Sequence, residues 1–506
     1  MNSRIKKILL LLLAAGLLVG SSQLQRSLNV DREKLGLTRI EPLKNAPPVL
    51  AFTTVALGGF RGLISNALWI RATELQDEDK FFEMAQLADW ITKLEPNFVQ
   101  VWLVQAWNMA YNISVKFKDY PDRWRWVKRG FELLRDEGLK YNPNEILIYR
   151  ELAWIFQHKL GQNLDDASML YKAEWAKEMT AVLGRNKANL DDLVNPKTPE
   201  QQKAARLLRE KYKMDPELMK EIDQEHGPLE WRLPEAHAIY WAEKGLKAAK
   251  DNPTKVSKDD LITLRRVIYQ SMQLSFRRGR LVTNAFNDGI DFGPNLEIVG
   301  KVSAAYEKEA AEDEKMHDHI LTAHRNFLRD AVYYLYEVGR TNEANLWFQY
   351  LGKQYPKKPL LDGKPDTLPG KLNLDEFAVA RVKEALGDTM SRDDAKAGIE
   401  GLLKRSYLSL VFDEDDRAYF YKRMAQQVWT SYTSALPKER IDALGLRPFE
   451  EIDREVLKEL LDPQHGLKTE YRLVLRSKLG LPAETRPAAP SEAANATKPG
   501  EPAKQP

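Results

Sequence analysis

A Pro-Asn turn that recurs 47 residues later in the same phase constrains the fold of this chain more than any other feature. Glu95-Pro96-Asn97 precedes Trp102, Ala106 and Trp107, and Asn142-Pro143-Asn144 precedes Tyr149, Ala153 and Trp154. Proline lacks the N–H that a continuing helix needs and clashes with the turn before it, so each Pro-Asn ends one helix. The large aromatic and the small residue four positions on then suit a second helix that packs closely on its neighbour. The spacing predicts repeated helical hairpins, an architecture for holding partners rather than for chemistry.

Residues further along repeat the grammar in its complementary form. Asp330 to Leu335 runs into Gly339, a residue suited to a left-handed helix end; Ala344, Phe348 and Leu351 follow at intervals of four and three, and Pro356 closes the unit. That order resembles the second half of a tetratricopeptide repeat, while the Trp102/Ala106 and Tyr149/Ala153 pairs resemble its first half. Phe81 fits the aromatic that opens the second helix of such a repeat, and a worn copy with Trp241 and Ala248 on its inner face ends at Asn252-Pro253. The family's usual period is about 34 residues, so a period of 47 leaves roughly 13 extra. They are placed around Asn112 to Arg125, where Tyr120-Pro121-Asp122 reads as a turn. The stretch from about 257 to 325 fits the pattern poorly.

The resemblance implies an all-α fold: a right-handed superhelical array of antiparallel helical hairpins, a tetratricopeptide-like α-solenoid. It also implies a concave groove lined by the opening helix of each hairpin. Carried over in register, Leu103, Trp107, Ala110 and Tyr111 of one hairpin face that groove, as do Arg150, Trp154, Gln157 and His158 of the next. Trp107 and Trp154 are then aromatic anchors one repeat apart, with Arg150 placed for a carboxylate. The competing reading makes both tryptophans core filling. A groove of this kind suits an extended peptide or a helix of a protein partner.

The N-terminus reads as an export signal. Arg4, Lys6 and Lys7 precede the Leu/Ala/Val run from Ile8 to Val19, and positive charge stays on the cytoplasmic side. About 13 apolar residues make roughly 20 Å of helix against a hydrocarbon core of about 30 Å, which favours cleavage. Residues Ser21 to Leu24 could lengthen the run into an anchor, so residues 1–24 are either signal peptide or signal anchor. A second apolar stretch, Val49 to Ile70, has Arg61 and three glycines in its middle. A charge there is costly in a bilayer. The spacing of Leu63, Ile64, Ala67, Leu68, Ala72 and Leu75 predicts instead a helix with one buried face. The organisation that follows is a linker over 25–48, the repeat region over 49–356, a linker over 357–373, a C-terminal helical region over 374–481, and a disordered Ala/Pro-rich tail over 482–506. Helices are predicted at Leu374 to Leu386, Asp394 to Leu410 and Asp415 to about Tyr432.

Composition removes several function classes. A net charge of +3 lacks the basic excess of a nucleic-acid binder. Zero cysteines exclude disulfides, thiolate metal sites and a cysteine nucleophile. No glycine-rich phosphate loop and no Gly-x-Ser-x-Gly elbow is present, so no cofactor is expected. Arg123 to Arg129 carries Trp124 and Trp126, yet Trp124, Val127, Phe131 and Leu134 fall at helical core spacing. His317, Asp318, His319 and His324 are potential metal ligands, but they follow a charged run typical of a solvated helix face. Asp413 to Asp416 reads as an acidic helix start, which the backbone dipole favours.

The expectation is therefore an exported, membrane-associated scaffold in a bacterial envelope complex, either anchored in the inner membrane and facing the periplasm or released into it. It binds a protein or peptide and no nucleic acid. The alternative is a helical-solenoid enzyme acting on cell-wall glycan, for which Glu151 beside Trp154 is the candidate carboxylic acid.

Overall fold

The computed structural model describes residues 3–34, 60–251, 256–283, 285–286, 290–361, 364–386, 392–434 and 446–482. Helices account for nearly all of its regular structure; one two-stranded sheet is the exception among the described residues. The chain divides into two compact units: Met1–Asn108 with Glu137–Pro143, and Met109–Asp136 with Asn144–Pro506.

In the first unit, α1 (Ser3–Lys34) is a single continuous helix. It runs past the expected end of the signal segment, so residues 25–34 are helical rather than linker. Among the described residues no helix is long and apolar enough to cross a membrane. The linker beyond residue 34 and the start of the second apolar stretch lie outside the described residues. α2 (Phe60–Asp77) buries Ser65, Ala72 and Leu75. Leu63 is 67% exposed and Ile64 39%, and Ala67 is exposed as well, so of the expected face only Ala72 and Leu75 are buried and Leu68 half-buried. α3 (Phe81–Leu94) starts at the expected aromatic, and α4 (Val99–Trp107) follows the Pro96-Asn97 turn. Ala88, Ile91 and Val101 form the core of this hairpin, with Leu68 and Trp69 packed on it. The turn is pinned from two sides: Trp102 Nε1 and Asn142 Nδ2 each donate to the Pro96 carbonyl at 2.9 Å.

The repeat is structural as well as sequential. α4 runs directly into a π-helical segment, Asn108–Ile113. α5 (Tyr120–Glu132) passes through a second π segment, Leu133–Gly138. α6 (Ile146–Trp154) then runs into a third, Ile155–Gly161. The start and end of α6 and the start of its π segment each stand 47 residues after their counterparts in α4. α7 (Ser168–Leu183) takes the place of α5 in the second copy. Tyr120-Pro121-Asp122, expected as a turn, is instead the first turn of α5, where Pro121 occupies a position that needs no N–H bond. Trp124, Val127, Phe131 and Leu134 are all buried, as their spacing implied.

The second unit continues through α8 (Leu190–Val194), α9 (Pro199–Glu210), α10 (Pro216–His226), α11 (Pro234–Asp251) and α12 (Lys258–Arg278). An aromatic core forms where Phe131, Phe156, Trp175 and His237 meet, with ring centroids 4.8–5.5 Å apart for Trp175 with His237, Phe156 and Phe131. α11 lies against α6. Tyr149 stacks on Trp241 at 6.3 Å, and Gly245 allows the approach, because a Cβ there would sit 3.0 Å from the Tyr149 Cβ. Trp241 and Ala248 are buried, whereas Asn252-Pro253 lies outside the described residues.

The stretch that fits no repeat contains the hairpin β1 (Arg280–Thr283) and β2 (Ile290–Gly293), antiparallel with Arg280 opposite Gly293. After α13 (Val299–Glu312), α14 (His317–Glu337) ends at Gly339, whose φ of +81° is the left-handed cap read from the sequence. α15 (Thr341–Gln354) buries Ala344 and Leu351. α16 (Leu374–Leu386), α17 (Arg392–Val411) and α18 (Asp415–Ser434) reproduce the three expected C-terminal helices, and α19 (Phe449–Leu460) and α20 (Thr469–Lys478) complete the region. The tail from residue 483 lies outside the described residues.

Candidate functional site

The expected groove residues fall into three groups. Leu103 is buried in the first unit, and Trp107, the last residue of α4, is 40% exposed. Arg150 and Gln157, on α6 and its π segment, turn to α12. Arg150 Nη1 lies 2.6 Å from Asp260 Oδ1, and Gln157 Nε2 donates to Gln270 Oε1 at 2.7 Å. Gln157 is fully buried there. Tyr111, Trp154 and His158 come together as one cluster.

Local geometry explains the cluster. Glu151, Trp154 and His158 are three and four residues apart and share a helix face. Trp154 stacks on the His158 ring at 4.5 Å. Tyr111 comes from the preceding π segment and stands 47 residues before His158; its hydroxyl is 3.1 Å from His158 Nδ1. Equivalent positions of successive copies therefore touch each other.

The cluster perturbs its own titrating groups. Burial raises the Glu151 carboxyl to about 7, against the pull of the Arg150 charge, and its Oε1 has no hydrogen-bond partner. Burial, then the Glu151 charge, raises the Tyr111 phenol. Burial, then Lys159, lowers the His158 imidazole. Lys159 is itself buried, with Nζ 2.7 Å from Asp165 Oδ2 and over the Tyr111 and Tyr171 rings at 5.3 and 5.6 Å. A cation between two aromatic faces and a carboxylate has its charge satisfied in place.

Sequence reasoning missed the polar interior behind this face. Lys172 is almost entirely buried and donates to the Gln162 carbonyl and to Asn163 Oδ1, both at 3.0 Å. Burial, helped by Arg278, pulls its ammonium down to about 8. Glu235, also buried, has its carboxyl raised by burial and one oxygen without a partner. Lys159, Lys172 and Glu235 are charged, and a charge pattern alone assigns them to the surface. Their burial depends on the π segment and on α11, and no single-element spacing reveals it.

A separate cavity of about 1140 Å³ in the second unit is bounded by the β-hairpin, α14, α17 and the start of α18. Its charges are largely answered by one another: Arg405 by Glu337 at 2.6 Å, Arg417 by Glu414 at 2.8 Å, and Arg340 by Glu297 at 2.6 Å. Asp413 and Asp415 on its rim pair with Lys478. Asp415 and Asp416 open α18, as an acidic helix start should. His324 is a core residue bonded to Ser303 and Tyr355 at 2.9 Å each, and His317 bonds the Ala310 carbonyl, so the His317–His324 set forms no metal cluster among the described residues.

No protein-family model, curated protein or solved structure matches this chain.

Proposed function

We propose that the chain is a scaffold of tetratricopeptide-like hairpins, exported to a bacterial envelope and associated with its membrane, that holds a protein or peptide partner. The observation that supports it most is the matched pair of helix and π-helical segment in α4 and α6, repeated in phase at 47 residues. A duplicated unit of this kind propagates by contacts between neighbouring copies and suits extended binding surfaces. The surface assigned to the partner is the Tyr111/Trp154/His158 face, where two aromatic rings and an imidazole offer stacking area with a polar edge.

Pull-down from gently solubilised membranes tests this with the full chain, comparing wild type, Trp154→Ala and Trp107→Ala, each checked for helical content and melting temperature. Loss of a specific partner in Trp154→Ala with the fold intact is the expected result. A partner retained by both folded variants removes this face from the proposal, and a wild-type chain that captures nothing removes the scaffold reading.

One observation favours the enzyme reading: a carboxyl group raised to about 7 beside aromatic rings is what a general acid on glycan requires. A peptidoglycan zymogram decides it. Lysis by wild type that disappears in a folded Glu151→Gln variant establishes the enzyme, and a blank wild-type lane rejects it.

A further inference from the structure

Among the described residues, one group of histidine and carboxylate side chains brings three potential metal-donor atoms together. Glu225 and His226 are the last two residues of α10, where Gly227 stops the helix with its N–H on the Asp223 carbonyl. Glu243 lies on α11, which packs against α10. One donor atom from each of the three residues lies within 4.8 Å of the other two. His226 Nε2 is 2.8 Å from Glu243 Oε1, and the two side chains are only 11% and 17% exposed.

The His226–Glu243 contact alone could be a plain hydrogen bond between two helices. Glu225 is what that explanation leaves over. It adds a second carboxylate beside the first, and like charges held this close repel. Among the described residues, no lysine or arginine pairs with Glu225 or Glu243. Lys247 of α11 is committed to Glu221, and Lys301 to the Gln224 carbonyl at 2.6 Å. Two carboxylate ligands balance the charge of one divalent cation, and an imidazole nitrogen adds a third donor.

The donor set narrows the ion. One imidazole nitrogen and two carboxylate oxygens form a three-ligand set suited to a four-coordinate zinc-class ion that keeps a water. A tetrahedral ion with bonds of about 2.1 Å needs donors roughly 3.4 Å apart, inside the spacing found. Calcium takes six to eight oxygens and magnesium an octahedron of them, and neither favours an imidazole.

We propose that Glu225, His226 and Glu243 bind a zinc-class divalent cation that staples the end of α10 to the middle of α11. The staple holds the helix that carries Trp241 and Gly245 against α6, and it is independent of whether the chain is a scaffold or an enzyme.

The test uses the full chain with any affinity tag removed and after chelator treatment. Titration with ZnCl₂ by calorimetry is expected to show one ion per chain and a rise in melting temperature. CoCl₂ is expected to give the intense visible bands of four-coordinate cobalt. Glu225→Gln sits at an exposed position and leaves the His226–Glu243 contact in place, so it should fold. Its zinc affinity should fall by at least about tenfold, the lower end of what losing even an outer-shell partner costs. His226→Asn should lose the cobalt bands. Wild type that binds no stoichiometric zinc overturns the proposal, as does Glu225→Gln that binds zinc as tightly as wild type. Equal affinity for MgCl₂ overturns the zinc-class assignment.

Discussion

Replacing Glu151 by glutamine should change how stability depends on pH, and the size of the change follows from the site. The wild-type carboxyl goes from 4.5 in the unfolded chain to about 7 in the folded one, because burial disfavours its charge. Folding therefore favours the protonated form. Below pH 4.5 both states are protonated and no penalty exists; from there to about 7 the unfolded state has released a proton that the folded state still holds, and stability falls as pH rises. Above about 7 both states are ionised, and the penalty levels off. Going from 4.5 to about 7 at 1.36 kcal/mol per pH unit gives a limiting cost of about 3 kcal/mol. Glutamine has nearly the same shape and no charge, so Glu151→Gln should match wild type near pH 4.5 and exceed it by up to about 3 kcal/mol near pH 8. Urea titrations of both proteins at pH 4.5, 6 and 8 measure this. The comparison must be variant against wild type, because burial and the neighbouring Glu312 and Asp313 also raise Glu309 to about 7, and that effect is common to both. Parallel stability curves over the whole range would refute the argument and show that Glu151 reaches water.

Two further outcomes follow from the packing. Gly245→Ala places a methyl group 3.0 Å from the Tyr149 Cβ and 3.2 Å from Leu264, an overpacking expected to cost about 1–3 kcal/mol in a urea titration; an unchanged midpoint would show that α6 and α11 can part without loss. His237 and His324 are both held neutral by burial, each lowered to about 4. The unfolded chain takes up protons at 6.5 and the folded chain does not, so stability should fall as pH drops from about 6.5 towards 4, and His324→Gln should flatten that limb in a melting series.

The sequence exposed those parts of the fold that depend on local signals. Gly339 needed a left-handed φ, and the periodic spacing of Trp124, Val127, Phe131 and Leu134 needed a buried face; both are found. The start of α18 followed from the acidic residues Asp413 to Asp416. The misreadings have a common cause. Tyr120-Pro121-Asp122 carries turn residues, but proline is equally at home in a first helical turn, and tertiary packing decided between them. α2 buries one narrow stripe through Ser65, Ala72 and Leu75, and Leu63, Ile64 and Ala67 lie off it, because periodicity marks a face and not the width that a neighbour covers. The β-hairpin was missed because four-residue strands give too short an alternation to register. The Glu225/His226/Glu243 group was hidden for a different reason: its third member lies on another helix, and only the packing of α10 on α11 brings it near.

Comparing the two copies position by position explains why the expected groove residues separated. Leu103, Ala110, Tyr111 and Asn112 of the first copy become Arg150, Gln157, His158 and Lys159 in the second. Each polar replacement in the second copy meets a specific partner: Asp260 for Arg150, Gln270 for Gln157, the Tyr111 hydroxyl for His158, and Asp165 for Lys159. Two of these partners are on α12, a helix outside the duplicated unit. Polar groups leave water at little net cost only where such partners wait for them. The second copy is therefore packed against α12, and Arg150 and Gln157 are committed to that interface. Trp154 is left in a different position: its ring lies over His158, beside a carboxyl group with an unpartnered oxygen, and its first-copy counterpart Trp107 is exposed. If one residue of the duplicated helices separates binding from packing, it is Trp154, and its truncation carries more information than any other substitution on this face.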